Sequence, residues 1–263
     1  MSSIISAIPP PPPLAPPLKA ESMTAPNINK FDGCLWAKKF PDIQQGCYLS
    51  QICVLTKPKA CKFKNIQSII QQGPTCGLTC LSMLINEALS PKELLELAKN
   101  WQYTLNGEMF SAKNLCDILR KVITEKNYNN ITCQLHEGPL NCAKVKNFIT
   151  NDACLFVPYD PDYNHSPCLK SGHKAHWALI IGYLIDNDDN FYVLARHGKT
   201  KSIAVWSLKS LSASNSNLIE FAQPKGYPNT DFLLPEGGIG GPNGLRNQCV
   251  IAQNIENETV AVV

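Results

Sequence analysis

No stretch of this chain approaches the roughly 18 consecutive apolar residues that a membrane-spanning helix needs. The first residues lack the charged start and long apolar run of an export signal, because Pro9 to Pro13 interrupts them. The expectation is a protein that stays in the cytoplasm and contacts no membrane. The sequons at Asn130, Asn164 and Asn257 then carry no meaning. Charge of one sign is also scarce. Lys and Arg number 24 against 21 Asp and Glu, a net charge of +3. The densest basic run, Lys57 to Lys64, is broken by Pro58, Ala60 and Phe63. A reader of nucleic-acid backbones carries a basic stripe, so no nucleic-acid partner is expected. Histidine is sparse as well, with five in the chain, which leaves few candidates for a general base.

Proline and cysteine are plentiful by contrast. The 12 cysteines are read as free thiols, since a reducing compartment disfavours disulfides. The run from Pro9 to Pro17, five prolines and then Leu-Ala-Pro-Pro, can form neither helix nor central strand. Residues 1–33 are therefore expected to be a disordered proline-rich leader that samples polyproline II. Such a segment serves as a spacer or as a ligand for aromatic grooves. No arginine flanks it, which favours a plain polyproline binder such as profilin over an SH3 domain.

Residues 34–263 read as one domain. Apolar spacing predicts a helix over residues 77–88, with Leu78, Leu81, Leu84 and Ile85 on one face. Ser90-Pro-Lys-Glu caps a second helix to Asn100. Ser111 opens a third, striped by Leu115, Ile118, Leu119 and Val122, and residues 140–149 are a fourth candidate. Beyond them the pattern turns to strands. These are residues 153–157, the long run from His176 to Ile185, and its hairpin partner Phe191 to Ala195 across the turn Asp186 to Asn190. Residues 202–206, 231–234 and 250–253 are further strand candidates. Helices followed by strands describe an α+β domain with an antiparallel sheet.

The chemistry centres on Gln-Gln-Gly-Pro-Thr-Cys-Gly at residues 71–77. A thiol at a helix start gains free N–H groups and the positive end of the dipole, which lower its pKa. Gly73-Pro74 keeps the preceding chain out of the helix, and Gly77 would let a substrate backbone approach. The Cys76 N–H and a side-chain amide, Gln71 or Gln72, could hold an oxyanion. The alternative is that Cys76 is a small buried hydrophobe; Cys80, one turn on among leucines, is read that way. Among the histidines, His176 opens the strongest strand, where a rigid imidazole could serve as the base. A rival reading groups His165, Cys168, His173 and His176 as metal ligands, but their spacing fits no standard pattern. Neither a metal nor a cofactor is called for. The glycine-rich segment from Gly237 to Gly244 lacks a phosphate-loop Lys-Ser/Thr and reads as a flexible loop or turn that could border the cleft.

Gln71-x-Gly-Pro-x-Cys-Gly-Leu78 and His176-Trp-Ala, with one hundred positions between the thiol and the imidazole, resemble the C39-like branch of papain-type cysteine peptidases. The fuller resemblance, which includes the leader and Tyr192-Val-Leu-Ala195 with Gly198-Lys, is to the actin maturation protease family. It implies a papain-like fold and removal of the acetylated N-terminal residue, Met or Cys, from immature actin. It further implies that Pro9–Pro17 engages profilin. The family's nucleophile falls on Cys76, its base on His176 and its oxyanion amide on Gln71. One departure stands out. The carboxylate that usually orients the imidazole has no counterpart in Ala195-Arg196-His197-Gly198, and Asp186, Asp188 and Asp189 lie at the other end of the hairpin. A backbone carbonyl, an amide side chain or a distant carboxylate is left to fill that role. Two other readings stay open: a thiol hydrolase with another substrate, and a non-enzymatic adaptor joining profilin to actin.

Overall fold

A computed structural model describes residues 34–50 and 56–263. The leader, its polyproline run and Cys53 lie outside the described residues. After a short 3-10 turn (Leu35–Ala37), the elements in chain order are α1 (Pro41–Leu49), β1 (Ala60–Lys64), α2 (Cys76–Leu84), α3 (Pro91–Asn100), α4 (Ala112–Glu125), β2 (Thr132–Glu137) and α5 (Ala143–Thr150). There follow β3 (Cys154–Pro161), β4 (Pro167–Cys168), β5 (His176–Ile185), β6 (Phe191–Arg196), β7 (Ala204–Ser207), α6 (Leu208–Ser216), β8 (Gln248–Gln253) and β9 (Thr259–Ala261). The fold is α+β, with every strand pairing antiparallel.

Local chemistry accounts for the helix ends. The Ser90 hydroxyl accepts the Glu93 N–H while the Glu93 carboxylate accepts the Ser90 N–H, a complete capping box on α3. The Ser111 hydroxyl accepts the Asn114 N–H at the start of α4, whose Leu115, Ile118, Leu119 and Val122 are all buried. Helix α2 stops at Leu84, short of the expected Ala88, because Asn86 and Glu87 take positive φ of 52° and 59°.

Strand β5 is the spine of the sheet. Its first half pairs with β3 and its second half with β1 along one edge, while β6 occupies the other edge from Leu179 to Ile185. A bulge at Ile181 shifts the β5–β6 register between Ile180 and Gly182. One face, with Phe156, Trp177, Leu179 and Val250, packs on α2, α3 and α4. The opposite face, with Val157, Ala178, Ile180 and Trp206, packs on α5 and α6. Burial on both faces explains why β5 reads as an unbroken apolar run rather than an alternating one. Each fully buried large side chain here contributes about 1.5–3 kcal/mol.

The expected order of helices before strands therefore needs correction, since β1 precedes α2 and sits beside the spine. Residues 231–234 form no strand; the Leu233 N–H donates to the Glu108 carboxylate instead of a ladder. The expected strand at residues 202–206 is β7, displaced toward α6. The segment 237–244 forms turns, as one of its two expected readings had it, and packs closely at two glycines. A Cβ on Gly240 would sit 2.1 Å from the Ile219 carbonyl oxygen, and one on Gly244 would sit 2.2 Å from that of Ile239. Among the described residues no helix is long and apolar enough to cross a membrane.

Candidate active site

The segment leading to Cys76 is fixed before α2 begins. Gly73 takes φ +65°, and Thr75 is the N-cap, its hydroxyl donating to the Gln72 carbonyl at 2.7 Å. Cys76 is thus the first residue of the helix and is half-buried. The backbone N–H groups of Trp177, Gly77 and Cys76 itself, and the positive charge of Lys199, act on its thiol. These donors favour the thiolate, yet burial outweighs them and holds the thiol above its ordinary value. The helix-start argument is therefore right about the donors and wrong about the net direction. Gly77 also has a different use from the expected one. A Cβ there would lie 3.0 Å from the Met109 side chain and 3.3 Å from Trp177, so the glycine admits those neighbours and not a substrate.

His176 opens β5 opposite Tyr159 of β3, with the two rings edge-to-face at 5.8 Å. Its Nε2 lies 2.7 Å from the backbone carbonyl oxygen of His197, just past β6. A carbonyl only accepts, so Nε2 carries the proton and Nδ1 keeps its lone pair. The orienting group left open by the sequence is thus a main-chain oxygen. Burial pushes the imidazole down to about 3, and the nearby Lys199, His197 and His165 oppose a second positive charge. Asp186 is engaged elsewhere, binding the Asp188 and Asn190 N–H groups and the Tyr192 hydroxyl at the far end of β5, about 30 Å away at 3.3 Å per residue.

Three contacts hold these parts together. The Gln71 N–H donates to the Gly198 carbonyl at 2.9 Å, and Arg196 Nε donates to that of Ile66 at 3.2 Å, so the segment leading to Cys76 runs beside the His197 segment. The indole N–H of Trp177 donates to the Met109 carbonyl at 2.7 Å. Asp160, fully buried, accepts the N–H groups of Lys170, Gly172 and Lys174 and so shapes the loop that delivers His176.

Cys76, His176 and Gln71 all line one cleft of about 920 Å³, together with Met109, His165 and Lys199. Gln72 is exposed and is not part of that lining. One N–H of the Gln71 amide donates to the Gly73 carbonyl at 2.9 Å, leaving the second uncommitted. Cys80 is buried, its thiol 3.6 Å from the Trp177 carbonyl. His136 is a buried member of β2 and does not line the cleft. The rival metal set disperses. His173 binds Glu220 at 2.8 Å and His176 the His197 carbonyl, and among the described residues no three His, Cys, Asp or Glu side chains share a metal-sized gap. The glycine-rich segment does not line the cleft.

Sequence reasoning missed His197, whose contribution is a carbonyl that any residue possesses. It gave Lys199 no role of its own beyond its place in Gly198-Lys, and it missed Asp160 and Glu108, since nothing in their spacing marks them.

A family model described as "Actin maturation protease-like, C-terminal domain" matches residues 66–184, a span that contains Gln71, Cys76 and His176. Named relatives agree with it. An actin maturation protease of Drosophila melanogaster is 50% identical over 250 residues, covering 95% of this chain and 92% of that protein. One of Danio rerio is 30% identical over 239 residues, covering 75% and 76%. One of Homo sapiens is 26% identical over 223 residues, covering 66% and 61%. In class, then, this α+β domain with its thiol and imidazole in one cleft is a protease. More narrowly, the chain belongs to the actin maturation protease family.

Proposed function

We propose that the protein is a papain-like cysteine aminopeptidase that removes the acetylated N-terminal residue, Met or Cys, of immature actin. The observation that carries this reading is that Cys76, the first residue of α2, lines one cleft with His176, whose Nε2 is locked by the His197 carbonyl so that Nδ1 is left to accept a proton. His176 takes the thiol proton as Cys76 attacks the scissile carbonyl. The resulting oxyanion is met by the Cys76 N–H and the free N–H of Gln71. His176 then protonates the departing amine, which leaves as the shortened chain, and a thioester remains on Cys76. Water attacks the thioester with His176 again as base, releasing the acetylated amino acid and restoring the thiol. No metal or cofactor takes part.

The names of the relatives supply the substrate in this reading, and Pro9–Pro17 supplies the tether. A leader bound to profilin would raise the local concentration of profilin-carried actin without any added contact in the cleft. The domain from residue 34 onward would work in the cytoplasm. Identification of the released fragment tests the exopeptidase assignment. Incubation with an acetylated actin N-terminal peptide should liberate a single acetylated residue by mass spectrometry. Release of a longer fragment would make the protein an endopeptidase, and absence of cleavage would favour an adaptor.

A further inference from the structure

Three phenylalanines at one part of the cleft stack edge-to-face without being buried in the core. Phe110 and Phe221 have ring centroids 5.3 Å apart, Phe110 and Phe232 are 6.0 Å apart, and Phe221 and Phe232 are 6.0 Å apart. Tyr227 joins them at 6.2 Å from Phe232. All four line the same cleft as Cys76. They belong to different segments, three of them (Phe221, Tyr227 and Phe232) on a stretch between α6 and β8 that has neither helix nor strand.

The connection to the nucleophile is direct. Met109 packs on Gly77 next to Cys76, and its carbonyl accepts the Trp177 indole N–H. Phe110 is the next residue. The loose stretch is tied to this same segment. Buried Glu108 accepts the N–H groups of Leu105 and Asn106 from its own turn and that of Leu233 from across the cleft. The Asn106 amide donates to the Asp231 carbonyl at 2.8 Å. A buried carboxylate with three donors fixes a geometry firmly, and what it fixes here is the position of Phe232.

We infer that Phe110, Phe221 and Phe232 form the subsite for the side chain of the residue removed, an unbranched apolar chain for which a thioether is the best occupant, and that Glu108 holds this subsite closed. Aromatic rings offer area to an alkyl chain and favourable edge contacts to a sulfur. The inference rests on the aminopeptidase reading above and adds to it the residues that choose the substrate.

The test compares kcat/KM for acetylated peptides that differ only in their first residue, Met or Gly, in the wild type, Phe232→Ala and Phe221→Leu. A lost apolar contact of this kind shifts such ratios by about tenfold or more. The Met-to-Gly ratio should fall that much in Phe232→Ala and by a smaller factor in Phe221→Leu. Glu108→Gln should lower the same ratio while the three rings remain. An unchanged ratio with wild-type turnover intact overturns the subsite alone, as does a preference that moves at the second residue instead. If the wild type trims nothing, binding of N-acetylmethioninamide decides the point. Binding that Phe232→Ala abolishes upholds the subsite, and binding indifferent to that change refutes it.

Discussion

The Nε2 atom of His176 sits 2.7 Å from the carbonyl oxygen of His197. That one hydrogen bond fixes the ring's rotation and its tautomer together, the work a carboxylate does in related peptidases. It makes nitrogen NMR a direct check. His176 should be found as the Nε2–H tautomer near neutral pH; an Nδ1–H tautomer would remove the base from the mechanism. His176→Gln should lower kcat by roughly 10²–10⁴ with the fold retained.

Lys199 bears on the thiol itself. Burial raises the Cys76 pKa and the ammonium counters it, so Cys76 should alkylate with a midpoint above that of a free thiol. Lys199→Met should move the midpoint higher still. Rates of iodoacetamide labelling against pH check this, read at Cys76 by peptide mass spectrometry. A Cys76 already fully reactive at pH 6 would contradict it.

Acid stability follows from the buried imidazoles. Folding lowers His176 to about 3 and His197 to about 4, from an ordinary value of 6.5. Above pH 6.5 both are neutral in either state. Below it the unfolded chain takes up protons that the folded chain refuses, so stability falls as pH drops toward 3–4, by up to about 1.4 kcal/mol per pH unit for each group. Urea midpoints between pH 7.5 and 4.5 should show this decline, and His197→Phe should flatten it. A midpoint that rises toward acid would be the wrong sign.

The loop before His176 depends on Asp160. Asp160→Asn replaces one acceptor oxygen by a donor facing backbone N–H groups, which should cost about 1–3 kcal/mol. Because that loop delivers His176, activity should fall more than KM rises. Unaltered thermal unfolding would show that the three bonds are not needed.

How legible all this was in the sequence varied with the kind of signal. That Cys76, His176 and Gln71 would come together in one cleft was readable because a turn, a helix start and a strand start surround them with distinctive residue types. Helices α3 and α4 announced themselves through Ser90, Glu93 and a regular apolar stripe. Strand β1 did not, since Ala60-Cys-Lys-Phe-Lys64 alternates too weakly and its partner lies over a hundred positions away, opposite Gly182 to Ile185. Phe232-Leu-Leu234 looked like a strand for its side chains alone. Its course is set by a distant carboxylate, Glu108, which no local pattern could reveal. The orienting group of His176 was hidden for the simplest reason, being main chain.

The central claim is that Cys76 is the atom that attacks the substrate. Wild-type protein and Cys76→Ala, matched for fold by circular dichroism, should be given the same acetylated actin N-terminal peptide and the products weighed. The account predicts loss of one acetylated residue with the wild type and no cleavage with Cys76→Ala. Equal trimming by both proteins would contradict it.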